Sequence, residues 1–118
     1  MLRVSAQKNE IEVDLQGIRG DADSAAVGLP FGAELMQFAD ALASRDEEAL
    51  KLTRSQLLDA AGAEVLVDAA GVAANFQRMV RIADSIGIPY DGAASEMGQQ
   101  VSDELKLTEF ASAQHTFG

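Results

Sequence analysis

The stretch from Glu64 to Asp91, EVLVDAAGVAANFQRMVRIADSIGIPYD, constrains this chain more than any other. Its first half carries almost no polar side chain, and its end is a strong helix stop. Gly87 suits a left-handed C′ position, Ile88 supplies the apolar residue that follows it in a Schellman motif, and Pro89 cannot continue a helix. The pattern predicts a helix over about residues 64–86 at the centre of the fold. A helix this apolar needs other helices against it, so its neighbours decide the fold class.

Upstream, Pro30 suits the entry or first turn of a helix. Phe31, Leu35, Phe38, Ala39 and Leu42 then recur as an apolar stripe, predicting a helix that ends near Ser44. Ser44 with Glu47 reads as a capping box for a second helix running to Ala61. Leu50, Leu57 and Ala61 form its inward face beside Leu58, and Gly62 is its left-handed C′ residue. Thr53 with Gln56 makes a second capping-box pattern, so a break near Leu52 is the alternative to one helix, which is favoured. Downstream, Asp91 can cap a further helix with Ala94, Met97, Val101 and Leu105 as its stripe. Leu107, Phe110 and Ala111 follow a cap at Thr108, and the tail from Ser112 is expected to be loose.

The expected architecture is all-α, a single-domain helical bundle of about four main helices over residues 31–118. Residues 1–30 form a less regular N-terminal arm. Ile11, Val13 and Leu15 alternate as in a half-buried strand, whereas Ile11, Leu15 and Ile18 fit helical spacing, so periodicity does not arbitrate. Such an arm packs on its own domain or on a neighbouring subunit.

Composition excludes several functions. The 118 residues fit one domain, which buries about two-thirds of the unfolded surface. With 19 acidic against 9 basic residues the net charge is -10, and no Lys/Arg stripe interrupts it. Neither nucleic acid nor an anionic membrane is therefore expected as a partner. No run of about 18 apolar residues and no N-terminal apolar h-region occur, so a cytoplasmic protein is expected. The absence of cysteine removes disulfides, thiolate nucleophiles and Cys-ligated metals. The sole histidine, His115, lies near the end of the chain with no Ser or Asp constellation to make a triad. Since H-E-x-x-H, Glu-x-x-His pairs, D-x-D-x-D-G loops and Gly-rich phosphate loops are all missing, no metal or cofactor is expected.

The candidate functional residues lie on the long helix. At about 100° per residue, Asp68 and Asn75 fall in the sector of Met79, Ile82 and Ile86. Arg78 flanks it one turn from Asn75, and Gln77, Arg81 and Asp84 lie on the opposite, wet face. A buried carboxylate is strongly unfavourable unless paired, so Asp68 needs a donor, a proton or a cavity. One reading makes Asp68, Asn75 and Arg78 a polar spot in an apolar pocket, with Asp68 as a base of raised pKa. The other, favoured, is a structural network that bridges helices or meets its copy across a dimer interface. The cluster Ala69, Ala70, Gly71, Ala73 and Ala74 fits close helix packing better than a ligand channel.

The run NFQRMVRIADSIGIPYD, from Asn75 to Asp91, resembles a segment of the alkylhydroperoxidase D and carboxymuconolactone decarboxylase superfamily. There an Asn-Phe pair is followed by Arg, Ala, Asp and a Gly-Ile-Pro stop. LPFGAELMQFADALASRD (Leu29 to Asp46) is similar to the family helix that precedes this segment, and LKLTEFASAQHT (Leu105 to Thr116) to a common family terminus. The resemblance covers about residues 29–116. It implies an all-α bundle assembled as dimers, trimers or larger rings. Peroxidases of this family use a Cys-x-x-Cys with nearby Glu and His, and no position here carries it, so cysteine-dependent peroxidase activity is not expected and no catalytic residue transfers. Because catalysis by perturbed groups normally shows several cooperating side chains and only three candidates emerge here, the favoured reading is a non-catalytic, homo-oligomeric or partner-binding helical protein that derives from, or assembles with, a cysteine-bearing relative. The alternative is a thiol-independent enzyme or small-molecule binder with its pocket around Asp68, Asn75 and Arg78.

Overall fold

A computed structural model of the chain describes residues 8–10, 12, 14–90, 92 and 94–117. Ile11, Val13 and Asp91, which entered the reading above, lie outside the described residues. Among the described residues the regular structure is entirely helical, with no strand, as the all-α expectation has it. A 3-10 turn (Leu15–Arg19) precedes α1 (Ala22–Ala25), α2 (Gly32–Ser44) and α3 (Glu47–Ile86). After α4 (Glu96–Leu105) come two 3-10 turns (Leu107–Glu109 and Ala111–Ala113) and α5 (Gln114–Phe117). The chain divides into two units, Met1–Asn75 and Phe76–Gly118. Among the described residues no helix is long and apolar enough to cross a membrane.

In the first unit the buried apolar residues are Leu15, Ala25, Phe38, Ala41 and Leu57. The described part of the N-terminal arm packs on its own unit, because α1 lies against both the Leu15–Arg19 turn and α2. Two glycines permit that approach. A Cβ on Gly17 would stand 2.6 Å from the Ala25 Cα, and one on Gly32 would overlap the Ala25 carbonyl, so a side chain at either position would hold the backbones apart. The acidic residues of the arm act as caps. Asp14 Oδ1 accepts from the Gln16 N–H at 2.9 Å, and Asp21 accepts from the Asp23 N–H at 3.2 Å and from the Ser24 hydroxyl at 2.7 Å.

The entry to α2 is a turn closed by the Gly32 N–H donating to the Leu29 carbonyl at 3.1 Å, with Phe31 in the left-handed region at φ 56°. Phe31 thus precedes the helix, and its side chain is exposed. The inward face is centred on Phe38 and Ala41, with Leu35 and Leu42 half-buried, whereas Ala39 is exposed. The expected stripe is corrected at its edges, since Ala39 stands about 100° round the helix from Phe38.

The turn from α2 to α3 also corrects the expected cap. Arg45 adopts the left-handed conformation, its N–H donates to the Leu42 carbonyl, and the Asp46 N–H donates to the Ala41 carbonyl. This is a Schellman stop with arginine in the place that usually holds glycine. Ser44 is not an N-cap. Its hydroxyl donates back to the Asp40 carbonyl at 2.8 Å, while Asp46 Oδ1 accepts the Ala49 N–H at 2.9 Å and caps α3.

Gly62, at φ 88° and ψ 171°, divides α3 into two arms, residues 47–61 and 63–86. Thr53 starts no new helix. It is buried within the first arm, and its hydroxyl donates to the Ala49 carbonyl at 2.9 Å. Leu57 is fully buried beside half-buried Leu50 and Ala61, and Leu58 is exposed. The second arm differs sharply from the expected central helix, since none of residues 63–86 is buried.

In the second unit, the Gly87 N–H donates to the Asp84 carbonyl and the Ile88 N–H to the Ala83 carbonyl, with Gly87 at φ 66°. That is the Schellman stop expected from Gly-Ile-Pro. The next helix starts later than Asp91. Ser95 is the cap of α4, its hydroxyl accepting from the Gly98 N–H at 3.0 Å, so Ala94 precedes the helix and Met97 is exposed. Gly98, Ser102 and Leu105 make the buried face, with Val101 half-buried. Left-handed Lys106 ends α4, and Thr108 lies inside the following 3-10 turn, which has no side-chain cap. The tail is not loose. The Tyr90 N–H donates to Thr116 Oγ1 at 2.6 Å, which ties α5 to the loop after α3.

Candidate functional site

Asp68, Asn75 and Arg78 all stand on the second arm of α3, and all are exposed. The helical repeat places Asp68 and Asn75 in one sector with Arg78 on its flank, as the spacing requires. The burial expected of that sector does not occur within the chain. Met79 is 49% exposed, Ile82 53% and Ile86 68%, and Val72, Phe76 and Val80 are open to a similar degree. The half-buried positions include Leu66, Ala70, Ala73 and Gln77, which lie roughly opposite Met79 on the helix. Gln77, expected on the wet face, is thus better covered than the apolar sector across from it. Asp68 therefore keeps its access to water within the chain, and the desolvation argument for it applies only if something else covers this face.

A different group of chemistry-bearing side chains meets in the second unit. A pocket of about 240 Å³ opens between the end of α3 and the tail, lined by Asp84, Ile88, Tyr90, Leu107, Phe110, Ser112, Ala113, His115 and Thr116. His115, on the tail expected to be loose, is half-buried, and its ring lies 3.8 Å from where a Cβ on Gly87 would be. Local spacing carried no signal for this group. It forms because Gly87 stops α3 and the Thr116 hydroxyl then holds the tail against the loop. The pocket is smaller than the roughly 300–1,000 Å³ usual for small-molecule sites. Its size suits one or two large side chains better than a cofactor.

Among the described residues no group of three or more His, Asp and Glu side chains could hold a metal ion. Far along the sequence from either group, the Asp21 carboxyl is held below its ordinary value of 3.8, chiefly by the Ser24 hydroxyl and secondarily by backbone N–H groups. No protein-family model, no curated protein and no solved structure matches the chain.

Proposed function

We propose that this chain is a non-catalytic assembly module with an alkylhydroperoxidase D-like ancestry, and that the second arm of α3 is its contact surface. One observation carries the reading: Val72, Phe76, Met79, Val80, Ile82 and Ile86 are each between 49% and 68% exposed on an arm with no buried residue. Contiguous apolar surface on this scale is characteristic of a contact site, because leaving it in water is unfavourable by about 25 cal/mol per Å². The ancestry rests on the Asn75-to-Asp91 run and its two flanking pieces. A thiol-independent enzyme or binder around Asp68, Asn75 and Arg78 is less well supported, since all three are exposed on one helix and catalysis by perturbed groups normally draws on several converging elements.

Sedimentation of the full chain between roughly 1 and 200 µM, concentrations that bracket the Kd of a weak interface, should give a mass above 12.4 kDa at the upper end. A single-chain mass throughout would remove homo-oligomerisation from this reading. Peroxide consumption with a dithiol reductant should be absent, and measurable turnover by this cysteine-free chain would overturn the non-catalytic assignment. Asp68→Asn should leave thermal midpoint unchanged under dilute, single-chain conditions, because the carboxylate is exposed there.

A further inference from the structure

From Val65 the apolar positions of the second arm recur at alternating steps of four and three, through Ala69, Val72, Phe76 and Met79 to Ala83 and Ile86. A 3.5-residue repeat sustained over about three heptads is the pattern of a helix-to-helix seam, met by another helix of the same repeat. The larger members of this seam are open: Val72 is 58% exposed, Phe76 59%, Met79 49% and Ile86 68%, while Val65, Ala69 and Ala83 are half-buried. We infer that the occupant is the same arm of a second copy, running antiparallel about a two-fold axis at the level of Ala74. This rests on the reading of the arm as a contact surface and adds the partner, the orientation and the register.

Overlap and shape favour that register. An axis near the midpoint of residues 63–86 lays two arms, each about 36 Å long, side by side over nearly their whole length. Val72 of each copy then meets Phe76 of the other, Ala69 meets Met79, and Val65 meets Ala83. Each layer sets a larger side chain against a smaller one, as interdigitation requires, and the contact is self-complementary as a two-fold demands.

Charge favours the orientation. Glu64 and Asp68 make the start of the arm acidic, whereas in its later part Arg78 and Arg81 outweigh the single carboxylate of Asp84, which lies on the opposite face from Asp68. A parallel pair would bring like charges level. In the antiparallel register Asp68 stands level with Val80 of the second copy, less than a turn from that copy's Arg78, and both charges lie on the same flank of the seam. Asn75 lies on that flank next to the axis, so the amides of the two copies face each other. An amide offers both donors and an acceptor, which allows such self-pairing.

Area sets the strength. Covering the open seam residues and Val80 would remove on the order of 500 Å² per copy, or about 1,000 Å² for the pair, near the lower limit for a specific interface. The dimer is therefore concentration-dependent.

The absence of cysteine makes a single introduced thiol a clean reporter. The full chain should rise from 12.4 kDa toward twice that mass with concentration, whereas Phe76→Glu and, independently, Met79→Lys should stay at 12.4 kDa with helical circular dichroism retained. Asn75→Cys should be joined by a short bis-maleimide at least about tenfold faster than Val67→Cys, whose side chain is 68% exposed but points away from the seam. Equal coupling at both positions, or a doubled mass that neither Phe76→Glu nor Met79→Lys reduces, would overturn the seam while leaving the assembly reading intact. A single-chain mass for the unaltered protein at every concentration would overturn both.

Discussion

Gly62 occupies φ 88° and ψ 171°, an extended conformation with positive φ that is essentially reserved to glycine. As a left-handed C′ residue it would have turned the chain away. The extended value instead lets the second arm start at once. No atom lies within 4 Å of a Cβ built there, so substitution acts through the backbone alone. Gly62→Ala should lower stability by about 1–3 kcal/mol in denaturant titration, and an unchanged midpoint would show that the break relaxes freely. Arg45 poses the converse case, an L residue at φ 58° in a glycine position. Asp21 sets a pH dependence. Its carboxyl is depressed by the Ser24 hydroxyl and neighbouring N–H groups, so its cap is fully present above the ordinary value of 3.8 and is lost as pH falls through the lower folded value. NMR titration should show this shift, and Ser24→Ala should raise the midpoint toward 3.8. Gly62 and Gly87 were recognisable as stops because their chemistry is local. The left-handed states of Phe31, Arg45 and Lys106 were not, since the surrounding turns impose them on residues without that preference.

Helix ends show how a correct element can carry a wrong cap. Both Ser44 and Asp46 are good N-cap types, and the Ser44–Glu47 pattern pointed to the first. The Schellman stop at Arg45 decides for Asp46, because it keeps Ser44 inside α2, where its hydroxyl donates back to the Asp40 carbonyl, and leaves the Asp46 carboxylate to accept the Ala49 N–H. Asp46→Ala should therefore destabilise the protein by about 1 kcal/mol, whereas Ser44→Ala should stay within about 0.5 kcal/mol. Equal losses in thermal melts would restore the serine cap. The α4 start at Ser95 escaped for a related reason, since Ala94 and Met97 fit an apolar stripe with Leu105 whether or not the helix reaches back to them. By contrast, Leu57, Phe38 and the stop at Gly87 were legible from spacing, and the structure confirms each.

Two chains of charge -10 repel each other, and this bears on any self-association through an apolar face. Raising ionic strength from about 0.01 to 0.15 M shortens the screening length from about 30 Å to about 8 Å. The Kd of the proposed dimer, measured by sedimentation, should fall severalfold over that range, because the two symmetry-related Asp68–Arg78 pairs on its exposed rim contribute at most about 1 kcal/mol each. Weakening with salt would mean that charge rather than the seam holds the copies together. The all-α class, the long arm, its stop and the polar residues on its apolar sector could all be read along the chain, because helical periodicity, caps and glycine stops depend on residues a few positions apart. Which faces are covered could not. Burial depends on segments distant in sequence, and the fold leaves the most apolar arm open while tying His115 and the tail to the loop after Gly87.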